Sequence, residues 1–249
     1  MSDYGLCLSG GPLPVDGTNV YLTQPTVRQI LRVGEQGFLT VVQLFCRTNR
    51  FLTDVREANP AFENVDDFIL LMMTLTQKDA DSIRADVGLF FDLVFPDFEV
   101  TPSPESLDFA RDGTVVGAVT PETFKGFQRA IDKLFLPHGG DNAEDYNPTN
   151  AYAAKIAKQL EESRKKVAEE HGETNKGFTS VYGSFVSILS TGIPMDINSL
   201  LDYTPFQLCD TFARYWLKVK YDFYQRISTT PMMDVSKVDK PEEWTKDII

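Results

Sequence analysis

The chain is predicted to be an α-rich α+β protein: a helical amino-terminal half carrying a small antiparallel sheet, then a charged helix and a carboxy-terminal helical unit. Three observations predict it. Apolar residues recur at spacings of three and four through most of the 249 residues. Between Phe98 and Val119 the spacing changes to two, with Asp112-Gly113 as a turn between alternating runs. The composition, 42% hydrophobic and 12% aromatic against 24% charged, is that of a folded globular chain, because disordered chains are poor in aromatics.

The first 24 residues read as extended and turn-rich. Gly10-Gly11-Pro12 and Asp16-Gly17 punctuate two short apolar runs, Tyr4 to Leu8 and Asn19 to Thr23, and a small hairpin is expected there. Pro25 opens a segment in which Val27, Ile30 and Leu31 and then, beyond Gly34, Phe38, Val41, Val42 and Phe45 recur at helical spacing. Two short helices should meet at Gly34. A second helical pair is expected over Val65 to Leu75 and Lys78 to Phe95, the latter closed by Pro96. Phe98 to Val100, Ser106 to Phe109 and Thr114 to Val119 supply the strands. Thr120-Pro121-Glu122 then offers a cap, a first-turn proline and a first-turn acid to a helix whose apolar face is Phe124, Phe127, Ile131, Leu134 and Phe135.

The run PHGGDNAEDYNPTN, Pro137 to Asn150, is rich in turn formers and reads as the linker. It sets a boundary near residue 145: residues 1–145 form a helical domain with the sheet, and 146–249 the charged helix and the carboxy-terminal unit. Ala151 to His171 is helical but charged, with Glu161/Lys165 and Glu162/Lys166 spaced i,i+4. Its only apolar seam is Ile156, Leu160 and Val167. Phe178 to Ser190 is the next apolar helix. Thr204-Pro205 begins the best-specified helix, an N-cap with proline at the first helical position. Leu208, Phe212, Tyr215, Trp216, Val219, Phe223 and Ile227 fall on one stripe of it. Core packing is expected for most of that stripe, Trp216 included. Tyr221 and Tyr224, beside it, are the candidate partner-binding residues, because aromatics with a polar tip suit a surface that is wet when free and apolar when bound.

Thirty-six acidic residues against 24 basic ones give a net charge of −12, which repels nucleic-acid phosphates and anionic lipid. The densest basic run, Arg164-Lys165-Lys166, lies between glutamates and reads as a solvated helix face. The apolar run Phe68 to Leu75 has eight residues, against the roughly 18 a spanning helix needs. Met1 to Pro14 lacks the regions of a secretory signal. No nucleic-acid or membrane partner is expected, and the cysteines Cys7, Cys46 and Cys209, with no C-x-x-C pair, suit a reducing cytoplasm.

Chemistry is sparse. His138 and His171 have no cysteine or carboxylate at metal-ligand spacing. The acidic loop Asp141 to Asn147 has Tyr146 and Tyr152 where a calcium loop needs glycine and glutamate. No phosphate-loop, dinucleotide or nucleophile-elbow motif occurs, and adjacent acids such as Asp66-Asp67 point different ways on a helix. The reading is a binding protein rather than an enzyme, with no cofactor or metal.

Taken in order, several segments resemble the tail assembly chaperone family of long-tailed bacteriophages. QPTVRQILRVGEQGF, Gln24 to Phe38, is similar to the family's early proline, short helix and Gly-Glu junction. The acid and apolar helices to Phe95, the small sheet, the TPETF helix and the charged middle helix keep the family's order. The block SFVSILSTGIPMDINSLLDYTPFQLCDTFARYWLKVKYDFYQRI, Ser184 to Ile227, followed by WTKDI at Trp244, resembles the family's closing helices and terminal tryptophan segment. The start CLSGGPLPVDG and the run PMMDVSK depart from the pattern. The resemblance implies a non-enzymatic chaperone that binds the tape-measure protein, with the tail-tube protein as a further partner. It implies action in the cytoplasm of the infected bacterial host and absence from the mature virion. A homo-oligomer is compatible with that role. Two other readings stay open: a structural tail or connector component kept in the virion, and a phage-encoded hydrolase using carboxylates distant in sequence.

Overall fold

In the computed structural model, which describes residues 3–47, 49–76, 81–135 and 180–230, the chain is α+β and predominantly helical, with two short antiparallel sheets. The run Tyr4 to Leu8 is not extended as expected; it lies in helix α1 (Asp3–Ser9). Gly10 and Gly11 close that helix. Gly10 has φ 72°, its N–H donates to the Cys7 carbonyl at 3.2 Å, and the Gly11 N–H donates to the Leu6 carbonyl at 3.0 Å. This is a Schellman ending, so the glycine pair terminates a helix instead of turning a hairpin. The hairpin follows it: β1 (Leu13–Pro14) pairs with β2 (Tyr21–Leu22), Leu13 opposite Leu22. The Gln24 side-chain amide donates to the Leu6 and Gly11 carbonyls at 3.2 and 2.8 Å and stitches helix to hairpin.

Helices α2 (Val27–Val33) and α3 (Glu35–Phe45) meet at Gly34, whose φ of 112° favours glycine. A helix that periodicity did not single out comes next, α4 (Arg50–Ala58). Asn49 makes it. Its side chain accepts from the Leu52 N–H at 3.3 Å and donates to the Leu44 carbonyl at 2.5 Å, tying the end of α3 to the start of α4. Helices α5 (Asp67–Thr76) and α6 (Asp81–Val94) follow near their expected places. Then β3 (Glu99–Pro102), β4 (Leu107–Arg111) and β5 (Thr114–Val119) form a sheet in that order, Val100 opposite Phe109 and Leu107 opposite Val119. Asp112 and Gly113 have φ of 53° and 74°, as a tight two-residue hairpin turn demands. Helix α7 (Phe124–Phe135) starts after a separate turn, in which the Thr123 and Phe124 N–H groups both donate to the Thr120 carbonyl.

Phenylalanine rings fill the centre. Phe38 and Phe45 of α3, Phe90 and Phe91 of α6 and Phe127 and Phe135 of α7 contact one another at ring-centroid separations of 5.2 to 6.2 Å. Phe95 carries the cluster to the sheet, 4.9 Å from Phe109, and Phe68 of α5 meets Phe124 at 5.2 Å. Each such pair adds about 0.5–1.5 kcal/mol to what area burial supplies.

The chain closes with α8 (Val181–Gly192), α9 (Ile197–Leu201) and α10 (Pro205–Thr229). Tyr182, Val186, Leu189, Leu200, Phe206 and Leu208 from these helices are buried in the same core as the amino-terminal phenylalanines. Polar ties reinforce the join: the Val27 N–H donates to the Tyr203 carbonyl at 2.8 Å, Arg28 Nε to Asp202 Oδ1 at 2.8 Å, and the Tyr182 N–H to Glu35 Oε1 at 2.6 Å. The expected boundary near residue 145, the charged helix Ala151 to His171, both histidines, the acidic loop Asp141 to Asn147 and Trp244 lie outside the described residues.

Candidate interaction surface

The root of α10 is specified locally and then clamped. The Thr204 hydroxyl accepts from the Gln207 N–H at 3.3 Å while Gln207 Oε1 accepts from the Thr204 N–H at 2.9 Å, a capping box with Pro205 at the first helical position. The Gln207 amide also donates to the Leu8 carbonyl at 2.8 Å, which docks α1 on this end. Tyr4 of α1 meets Phe206 edge-on at 5.7 Å. The Asp210 carboxylate, 4% exposed, accepts from Arg214 Nε at 3.0 Å and from the Tyr4 hydroxyl at 3.4 Å, and Arg214 Nη2 donates to that hydroxyl at 2.8 Å. The hydrogen bond to Asp210 holds the Arg214 guanidinium still more firmly protonated than usual. A buried carboxylate placed this way is neutralised and anchored.

Along the apolar stripe the environment changes partway. Leu208 is fully buried, Phe212 stacks on Phe185 of α8 at 4.3 Å, and Tyr215 lies over Gly192, where any Cβ would overlap its ring. Beyond that point the stripe continues without cover among the described residues. Trp216 is 49% exposed, Val219 37% and Phe223 60%, and Ile227 is half-buried. The expectation that Trp216 is core is therefore wrong. The physical reason is length: α8 has 12 residues and α10 has 25, so the covering helix spans only part of the stripe. The overhang from Trp216 to Thr229 is about 20 Å long at 1.5 Å per residue.

Tyr221 and Tyr224 are both half-buried, and the Tyr221 hydroxyl accepts from the Gln225 amide at 2.9 Å. At about 100° per residue, Trp216, Val219, Phe223 and Ile227 share an arc of about 80°. Tyr224 lies about 100° and Tyr221 about 160° from its middle, so the geometry does not bring the tyrosines into the uncovered stripe. Trp216 and Phe223 are the functional candidates that sequence reasoning missed. A signal existed in the charges: Lys218, Lys220, Asp222 and Arg226 crowd the distal half of α10, as they do on a wet helix. Lys220 Nζ stands 5.7 Å from the centroid of the Trp216 ring, a cation–π contact that keeps the indole against the helix.

Among the described residues no group of three or more His, Cys, Asp or Glu side chains could hold a metal ion, and no helix is long and apolar enough to cross a membrane. The buried carboxylate Asp132 faces Arg47 Nε at 2.6 Å, much as Asp210 faces Arg214. Burial pushes the Cys7 thiol up to about 11 and the Cys209 thiol up to about 12, far from the thiolate a nucleophile needs. Burial likewise raises the Tyr182 hydroxyl. A recess lined by Val33, Gly34, Phe38, Asp86, Leu89 and Phe90 holds about 10 Å³, space for one water. Comparison of the chain with protein-family models, with curated proteins and with solved structures found no match.

Proposed function

We propose that the chain is a non-enzymatic binding protein, a tail assembly chaperone that covers an apolar helical segment of a phage tape-measure protein and keeps it soluble for tail-tube assembly. One observation carries this reading: Trp216, Val219 and Phe223 stand exposed at i, i+3 and i+7 on a helix whose root is packed against α1, α7 and α8. Those are the anchor spacings of helix-in-groove recognition. Tryptophan is among the residue types that dominate interface energies. A ridge already ordered at its root loses little conformational freedom on binding. The identity of the partner rests on the family resemblance of the block Ser184 to Ile227, which contains the ridge. The same resemblance carries the tail-tube protein as a second partner, action in the host cytoplasm and absence from the finished particle.

The test is co-expression with the tape-measure protein. The double variant Trp216→Ser/Phe223→Ser should stay folded with a melting temperature close to that of the wild type, since both side chains are about half-exposed or more, while the tape-measure protein moves from the soluble fraction to the pellet. A folded double variant that still keeps it soluble would remove the ridge from the proposal.

A further inference from the structure

The ridge is locally positive. The segment from Trp216 to Thr230 holds Lys218, Lys220 and Arg226 against the single acid Asp222, a positive segment in a chain of net charge −12. Lys218, Lys220 and Arg226 are all exposed, and none is in an ion pair among the described residues. Arg28, Arg47, Arg56, Lys133 and Arg214 are each paired with an aspartate. Lys220 flanks the apolar stripe beside Trp216, and Arg226 lies on its other side within one turn of Phe223.

From this we infer that the occupant of the ridge is an amphipathic helix whose apolar seam, spaced at three and four, is flanked by Glu or Asp. The inference rests on the binding reading above and specifies the chemistry of the partner. Seam-to-seam packing with opposite charges at the flanks is how two helices select each other and their register. A second copy paired ridge to ridge is the poorer fit, because two positive overhangs repel. An anionic bilayer is the poorer fit too: the acidic body would be driven from it, and three or four apolar side chains make a small membrane face.

The experiment uses the full chain and two designed helical peptides with the same leucine seam, one flanked by glutamates and one by lysines, titrated by fluorescence anisotropy. The glutamate peptide should bind at least about tenfold more tightly than the lysine peptide, and the difference should shrink with added salt. Lys220→Glu/Arg226→Glu should reverse the order. Equal affinities for the two peptides, both lost in Trp216→Ser/Phe223→Ser, would overturn the charge inference and leave the ridge standing. Equal affinities unaffected by that double variant would overturn the ridge as well. Tighter binding to phosphatidylserine vesicles than to the glutamate peptide, or concentration-dependent dimers that Phe223→Ser abolishes, would assign the surface to lipid or to a second copy and overturn the inference.

Discussion

Phe127 and Trp216 are both aromatic residues at helical spacing, and they do different work. Phe127 is fully buried and touches Phe45, Phe95 and Phe124, so Phe127→Ala should cost about 3–5 kcal/mol of unfolding free energy. Trp216→Ala removes a half-exposed ring and should cost no more than about 1 kcal/mol. Urea titrations monitored by circular dichroism would separate them, and equal losses would return Trp216 to the core. The buried thiols make a second prediction at this scale. Cys7 and Cys209 stay protonated to about 11 and about 12, against an ordinary 9.0. A raised acid pKa stabilises the fold fully below the unfolded value and loses that contribution as pH climbs through the folded one. The thiols' contribution should therefore be intact up to about pH 9 and the unfolding midpoint should fall above it, less steeply in Cys209→Ala than in the wild type. A midpoint independent of pH over that range would show that the thiols ionise as freely folded as unfolded.

At the level of elements, close backbone approach decides what helix propensity alone would misjudge. Alanine is favoured over glycine inside a helix by about 1 kcal/mol, yet a Cβ at Gly126 of α7 would come 2.8 Å from the Asp16 carbonyl oxygen in the loop between β1 and β2. Gly126→Ala should therefore destabilise by about 1–2 kcal/mol net, measured as a lower urea midpoint; a gain would mean that the loop yields. Elements were legible in the sequence where the punctuation had one meaning, as at Gly34, Asp112-Gly113 and Thr204-Pro205. Gly10-Gly11 had two meanings, hairpin turn or helix end, and the docking of Tyr4 and Leu8 on α10 decides for the helix end. Helix α4 was not legible because its anchor is a contact, Asn49 to the Leu44 carbonyl. The stripe on α10 was legible as a stripe, but whether a stripe is covered depends on the length of its neighbour, which no local pattern encodes. Hence sequence pattern alone points to the tyrosines and places Trp216 and Phe223 in the core.

For the molecule as a whole, the amino- and carboxy-terminal helices share one core, so unfolding of the described body should be a single cooperative event. Helix α10 is the exception by construction: clamped at Asp210, Arg214 and Tyr4 and uncovered past Tyr215 among the described residues. Amide hydrogens near Leu208 should exchange only when the whole body opens, and protection should decline toward Thr229, where local opening suffices. Uniform protection along the helix, read by exchange mass spectrometry, would mean that the overhang is covered in the free protein. The clamp thus gives α10 a built-in isotope clock. A partner lying on the overhang would slow exchange at its tip and leave the root unchanged, so occupancy could be read peptide by peptide from deuterium uptake.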